Sequence, residues 1–284
     1  MQNTKVLLFL LILTLGCSDS STDSQDPQLV VRPHLIRVPA DALNIKTAIN
    51  SADSGDTVLV ADGVYTGDGN RDIDFGGKSV VVMSETGPLA TIIDCGGSEE
   101  APHRAFTLIN REDGAVIDGF TIRGAYATQG SAINLKSSSP TIRNCVFVNS
   151  VATVSGGTIR CKSASPKLIN CTIVGSSAPA GGAIYLVASS HPSLTNCLIS
   201  FSSSGNAVGS DGSSVPALIC CNLFGNIGGD WDGVIASQAS VDGNLSLDPL
   251  LCSDSDYRLH SDSPCAPLNN SCGELIGALG VACD

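Results

Sequence analysis

Aromatic residues are scarce in this 284-residue chain, at 4 % with a single Trp, and so is charge, at 15 % where an average domain carries roughly 25 %. Glu and Lys are the rarest of the charged types, with 5 Glu beside 22 Asp and only 6 Lys. These are the residues that fill exposed helix faces, so a long helical bundle is excluded. The net charge of −12 lacks the basic footprint that phosphate neutralisation demands, which argues against a nucleic-acid partner. What is plentiful, Asp, Ser, Asn and 30 Gly, favours turns.

The absence that bears most on function is local. Between Asp118 and Asp211 there is not one Asp or Glu, while Arg123, Lys136, Arg143, Arg160, Lys162 and Lys167 give that stretch six positive charges. Both flanks are acidic. Glycoside hydrolysis by paired carboxylates and calcium-assisted elimination each need Asp or Glu at the reacting bond, so neither is expected there. An elimination without carboxylates would have to use Lys162, Tyr185 or His191 as base. The leading expectation is therefore a non-catalytic binder, adhesin or scaffold. Its candidate ligand is an acidic polysaccharide held by Lys136, Arg143, Arg160 and Lys162, with Trp231 as a stacking platform or a packing plug.

Four segments repeat: Ser139-Pro140-Thr141-Ile142-Arg143-Asn144-Cys145, Ser165-Pro166-Lys167-Leu168-Ile169-Asn170-Cys171, His191-Pro192-Ser193-Leu194-Thr195-Asn196-Cys197 and Val215-Pro216-Ala217-Leu218-Ile219-Cys220-Cys221. The period is 24 to 26 residues. Counting backwards adds Asp118-Gly119 and Asp94-Cys95 in the same register. Apolar residues stand five apart across each pair, as in Ile142 with Phe147 and Leu168 with Ile173. Short β-rich stretches broken by Gly, Ser-Pro and Asn at this period predict coils of a parallel β-helix, because helical repeats would not tolerate a Pro and a Gly pair in every unit. With rungs about 4.8 Å apart, Asn144, Asn170 and Asn196 are expected to form a bonded amide ladder at an inward bend. Cys145, Cys171 and Cys197 are expected to stack as small apolar core residues.

A solenoid needs caps. Residues 41–53 carry Leu43, Ile45, Ala48 and Ile49 at helical spacing, which predicts a short amphipathic helix over the first coil. Residues 251–284 break the repeat and hold Cys252, Cys265, Cys272 and Cys283, which predicts two disulfides among three possible connectivities. Asp68, Asn70, Asp72 and Asp74 alternate like a calcium loop, but Ile73 stands where such a loop requires Gly and no Glu closes it, so a polar turn is expected and no cofactor.

Val6 to Leu13 is apolar but far short of the roughly 20 residues that span a bilayer, and it reads as the core of a signal peptide over residues 1–16. Leu13-Thr14-Leu15-Gly16-Cys17 resembles a bacterial lipoprotein processing site. That resemblance implies lipidation at Cys17, a flexible tether over 17–35 and attachment to the cell envelope through the lipid alone. The solenoid is then expected over 36–250, with a Cys-rich cap over 251–284. Nothing in the sequence sets an oligomeric state.

Two further stretches carry a family likeness. Ile45-Lys46-Thr47-Ala48-Ile49-Asn50, Gly55-Asp56-Thr57-Val58-Leu59-Val60, Gly63-Val64-Tyr65, Asn70-Arg71-Asp72-Ile73-Asp74-Phe75 and Thr91-Ile92-Ile93-Asp94 form the first. Asp248-Pro249-Leu250, Asp256-Tyr257-Arg258-Leu259, Ser263-Pro264-Cys265 and Ile276-Gly277-Ala278 form the second. Both resemble bacterial right-handed parallel β-helix proteins of the pectin-lyase-like superfamily. The resemblance implies the fold. It does not choose among the superfamily's lyases, hydrolases and adhesins, and a lyase or hydrolase acting on uronate glycans is the alternative to a binder.

Overall fold

The structure is a computed structural model that describes residues 33–253 and 255–284; Cys17, the signal segment and most of the tether lie outside them. Three parallel sheets wrap around one core. Sheet A has eight strands, from Leu35–Val38 to Ala217–Ile219; sheet B has seven, from Gly63–Thr66 to Asn222–Phe224; sheet C has six, from Ile73–Asp74 to Val208–Ser210. In the middle coils an extra pair, Tyr126–Gln129 beside Val151–Ser155, widens the corner between B and C. This is a parallel β-helix, and its all-β character follows from strands of two to five residues separated by obligatory corners.

The five-apart apolar pairs straddle one such corner. Ile142, Leu168, Leu194 and Leu218 stack inside sheet A, and Phe147, Ile173, Ile199 and Leu223 inside sheet B. Each is buried, which contributes about 1.5–3 kcal/mol per side chain.

Asn144, Asn170, Asn196 and Cys220 occupy that corner with φ of 52°, 48°, 53° and 53°, and Gly119 does so at 78°. Asn tolerates the left-handed region better than most residues, and this is the role the Asn series fills. The expected amide ladder is not formed. Asn144 Nδ2 donates to Asp118 Oδ1 at 2.8 Å, and Asn170 Nδ2 donates to the carbonyls of Leu275 and Gly277. The corner's main chain is satisfied by its own ladder, with the N–H of 144, 170 and 196 donating to the carbonyls of Ile169, Thr195 and Ile219.

The backward extension of the register also needs correcting. Asp118 pairs with Arg143, so Gly119 rather than Asp118 shares the corner with Asn144. Asp94 pairs with Arg123 in sheet B, which puts Cys95 at the next corner of the coil. Coil length varies between the early rungs, so a fixed offset slips. Cys145, Cys171, Cys197 and Cys221 do line the interior as buried free thiols. Cys171 Sγ donates to the carbonyls of Ile142 and Ile169, both at 3.5 Å.

At the front, helix Ile45–Ser51 begins in a capping box between Asn44 and Thr47 and buries Ile45, Ala48 and Ile49. Leu43, expected on its apolar face, precedes the cap and is exposed. Lys78 Nζ closes the other end by donating to the carbonyls of Ile49, Asn50 and Ala52. At the back, the 3₁₀ turn Gly233–Gln238 buries Ile235 over the last coil. Gln238 and Asn244 then bond the free edge of the last sheet A strand as a further strand would: Leu218 N donates to Gln238 Oε1, and Asn244 Nδ2 to the Leu218 carbonyl.

Residues 251–284 do not plug that end. They fold back along the outside of sheet B, where Leu279 packs on Val146 and Val148, Gly277 N donates to the Asn196 carbonyl and Ala278 N to Thr172 Oγ1. Two disulfides hold this flap, Cys220–Cys272 and Cys252–Cys283. Cys265, expected to be paired, is instead a buried free thiol packed with Leu198, Leu259 and Ile276. The unforeseen partner is Cys220, which takes the outward corner position that Asn fills in the coils before it.

Candidate functional site

The outer face of sheet C carries a cluster of cations without counter-ions. Strands Phe106–Leu108, Ile133–Lys136, Ile159–Lys162, Ile184–Val187 and Val208–Ser210 align Thr107, Asn134, Arg160, Tyr185 and Gly209 in one outward row. Lys136, Lys162 and Val187 form a second row two residues on. Their inward neighbours, Ile133, Leu135, Ile159, Cys161, Ile184 and Leu186, are buried, so strand alternation fixes the outward set.

Among the described residues no carboxylate pairs with Lys136, Arg160 or Lys162, the seven ion pairs all lying elsewhere. Arg160 Nε and Asn134 Oδ1 are buried without a hydrogen-bond partner, a costly condition for polar groups. The Cβ of Arg160 sits where any side chain at Gly130 or Gly156 would collide, at 2.8 and 3.2 Å from their virtual Cβ positions. Glycine at those two positions, with φ of 53° and 62°, therefore both makes the corner and clears space for the arginine.

Arg104 stands half-buried just before strand Phe106–Leu108, two strands from that of Arg160. Burial pulls its pKa below the usual guanidinium value, the neighbouring charge of Arg160 pulls the same way, and Asp72 opposes both. Asp72 Oδ2 lies 2.6 Å from His103 Nδ1 and its Oδ1 accepts Arg104 N at 3.0 Å. Neither His103 nor Arg104 stood out in the sequence, because each falls outside the repeat and meets Asp72 only through the coil.

The other sequence candidates disperse. Arg143 lies on sheet A, where its Nε pairs with Asp118 Oδ2 at 2.7 Å. Trp231 packs against the core at the back end and donates Nε1–H to the Leu245 carbonyl at 3.1 Å. Tyr185 and Lys162 share the outer face of sheet C, whereas His191 stands at the following corner with its Nδ1 bonded to Val215 N. The four residues of the calcium-like run do not converge. Asp68 pairs with Arg71, Asn70 Oδ1 accepts Ile45 N, Asp72 holds His103, and Asp74 accepts Gly76 N. No cluster of three metal-ligating side chains occurs among the described residues.

Residues 105–241 match the family described as right handed beta helix region. The matched stretch begins after the first coils and holds all of the basic C face except Arg104. No curated protein matches the chain. Two concave features lie between sheet B and the flap, one of about 510 Å³ floored by Ile92, Val146, Val148 and Leu279 and one of about 400 Å³ lined by Val174, Phe201 and Leu251. The first has charged residues at its rim. Its charged rim is already engaged, Arg123 with Asp94 and Asp256 with Arg258.

Proposed function

We propose that this protein is a non-catalytic binder of acidic polysaccharide, held at the bacterial cell envelope by lipid on Cys17, with the outer face of sheet C as its binding surface. The observation that carries the reading is the set of three cations, Lys136, Arg160 and Lys162, on two adjacent strands with no carboxylate paired to them among the described residues. Unpaired like charges on one face attract a polyanion, with an attraction that salt screens. The test is affinity electrophoresis through gels containing polygalacturonate. Retardation that falls with added salt and is lost in Lys136→Gln/Lys162→Gln is the expected result, and migration equal to that in blank gels overturns the reading. Anchoring is tested apart from this, by whether Cys17→Ala moves the protein from the membrane fraction to the soluble one.

The Asp72–His103 pair favours a second reading, a polysaccharide lyase. A carboxylate on Nδ1 orients an imidazole for proton abstraction at Nε2, and Arg104 follows directly in the chain to neutralise a uronate. In that case His103, rather than Lys162, Tyr185 or His191, is the base. Incubation with uronate polysaccharides then yields an unsaturated product with ultraviolet absorbance, and His103→Ala abolishes it.

A further inference from the structure

The smaller of the two cavities against sheet B, about 400 Å³, is walled by residues in an unusual backbone state. Among the described residues only two large apolar side chains stand in the left-handed region, Phe201 at φ 59° and Leu250 at 47°. Both line this cavity, and both are partly exposed, at 39 % and 40 %. A bulky residue at such φ is a costly outlier, and outliers of this kind collect where a ligand is clamped. Neither residue is buried, so core packing does not account for the cost.

Phe201 occupies the corner that follows sheet B. In the coils around it the same corner holds Asn149, Gly175 and Gly225, at φ of 50°, 70° and 70°. The fold therefore asks for no large side chain at this position. A Cβ on Gly225 would lie 2.9 Å from Phe201 Cδ1, and Phe224 meets the ring edge to face with centroids 6.0 Å apart. The ring is thus held toward the back end. On its other side a side chain at Gly175 would strike Asn149. The space over Gly175 stays open between Asn149 and Phe201, whose corners are two rungs or about 10 Å apart. Val174 and Leu251 line this space, and Tyr257 stands where it meets the larger cavity.

The lining contains no Lys, Arg or His, and its one charged group is Asp248. Asp248 Oδ1 accepts Leu250 N at 2.9 Å, and no cation pairs with this carboxylate among the described residues. The bond that holds the Leu250 main chain thus also fixes a negative charge at the mouth. A carboxylate and two aromatic rings beside apolar walls disfavour an anion. They attract an organic cation, through its charge and through the negative faces of the rings.

We propose that this cavity binds a small organic ammonium ion with an apolar body, the charge beside Asp248 and the aromatic rings and the body over Gly175 and Val174. The site lies on sheet B and is independent of the reading of sheet C.

The experiment is saturation-transfer NMR on the full chain, titrated with benzyltrimethylammonium, benzyl alcohol and benzenesulfonate, which share a ring and differ in charge. The cation should bind saturably, the alcohol at least fivefold more weakly, and the sulfonate not at all. Asp248→Asn keeps an oxygen for Leu250 N and should weaken the cation at least threefold while leaving the alcohol within twofold. Phe201→Gly places at the corner the residue that its φ favours, and should lose at least tenfold in cation affinity; circular dichroism and thermal melting check its fold. Lys136→Gln/Lys162→Gln should bind the cation as the parent does, which keeps this test apart from that of the basic face. Absence of saturable cation binding by the parent overturns the site. Equal affinity for the cation and the alcohol overturns the ligand class, and equal cation affinity in the parent and Phe201→Gly overturns the location.

Discussion

Glu112 offers the sharpest test of how the coils beside the C face are held. Its side chain is wholly buried, yet both oxygens are used: Oε1 accepts Gly77 N at 2.9 Å, and Oε2 accepts Asn110 N at 2.7 Å and Ser138 Oγ at 2.6 Å. Ser138 Oγ in turn accepts Arg111 N and Glu112 N. One carboxylate thus ties three successive coils at the corner that follows sheet C. In Glu112→Ala the Ser138 hydroxyl still reaches the Lys136 carbonyl, 3.3 Å away, but Gly77 N and Asn110 N lose their acceptor. At roughly 1–3 kcal/mol for each stranded donor, the loss is about 2–6 kcal/mol. Glu112→Gln keeps one acceptor oxygen and should cost about 2–3 kcal/mol, the worth of hydrogen bonds to a charged group.

The pH dependence has a definite sign. Burial pushes the Glu112 carboxyl pKa up, but the bonds from Ser138, Asn110 and Gly77 together outweigh it and leave the pKa below the ordinary 4.5. A folded-state value below the unfolded one stabilises the fold fully above the unfolded value, and that stability drains away as pH falls through the folded value. Urea melts of the parent should therefore shift to lower midpoint on acidification below the carboxylate range, and those of Glu112→Gln should shift less. Solenoids unfold coil by coil, so hydrogen exchange at the Gly77 and Asn110 amides supplies the local readout. A Glu112→Ala protein within 0.5 kcal/mol of the parent at neutral pH (the usual scatter of neutral substitutions), with those two amides still protected, would refute this account of the corner.

Other outcomes follow from the flap and the corners. Cys220→Ser/Cys272→Ser opens a loop of 52 residues, and chain entropy puts the loss at about 4 kcal/mol if the flap and coils unfold together; limited proteolysis should then cut first within 251–284, and an unchanged cleavage pattern would show that sheet B holds the flap unaided. Asn170→Ala keeps φ near 48° without the Asn amide and should cost about 1–2 kcal/mol for the backbone in addition to the bonds to Leu275 and Gly277. Asn170→Gly should recover the backbone part alone, as read from thermal melts of the pair. The free thiols should resist alkylation in the native state at mildly alkaline pH, because burial raises Cys95 and Cys161 to about 12 and Cys265 to about 11; mass spectrometry should find all seven labelled only after denaturation, and rapid native labelling at Cys265 would show that the flap opens.

The solenoid was legible because its grammar is local. A residue that tolerates positive φ, followed by a small buried one and flanked by apolar residues five apart, marks the same corner wherever it occurs. The register slipped where that grammar thins: Gly119 and Cys95 sit in coils without the Asn-Cys pair, and nothing local says that Asp118 faces Arg143. The disulfide pairing was not legible either. Cys220 reads as one more member of the corner series, and only the return of the chain along sheet B brings Cys272 to it. The site was legible in part, since Lys136 and Lys162 stand one period apart on a predicted strand. Arg104 and His103 were not, because their loop breaks the period.

The carboxylate-free stretch acquires its meaning only when its six cations are sorted by sheet. Arg123 on sheet B takes Asp94 as partner at 2.9 Å, and Arg143 on sheet A takes Asp118 at 2.7 Å; both acids lie in the coil just before the gap, one rung below. Lys167 stands alone on sheet A. Lys136, Arg160 and Lys162 are on sheet C, whose own acids are confined to its two ends, Asp74 in the first strand and Asp211 just beyond the last. Asp211 is spoken for by the turn, its Oδ2 accepting Ala188 N and its pKa held at about 2 chiefly by that bond. A parallel stack repeats one residue type along a row unless something selects against it, and composition alone would have scattered pairs on every face. Among the described residues the pairs of this stretch occur on A and B, one unpaired cation, Lys167, is on A, and the other three gather on C, beside the glycines 130 and 156 that border Arg160. That asymmetry is why the proposed binding face is placed on sheet C.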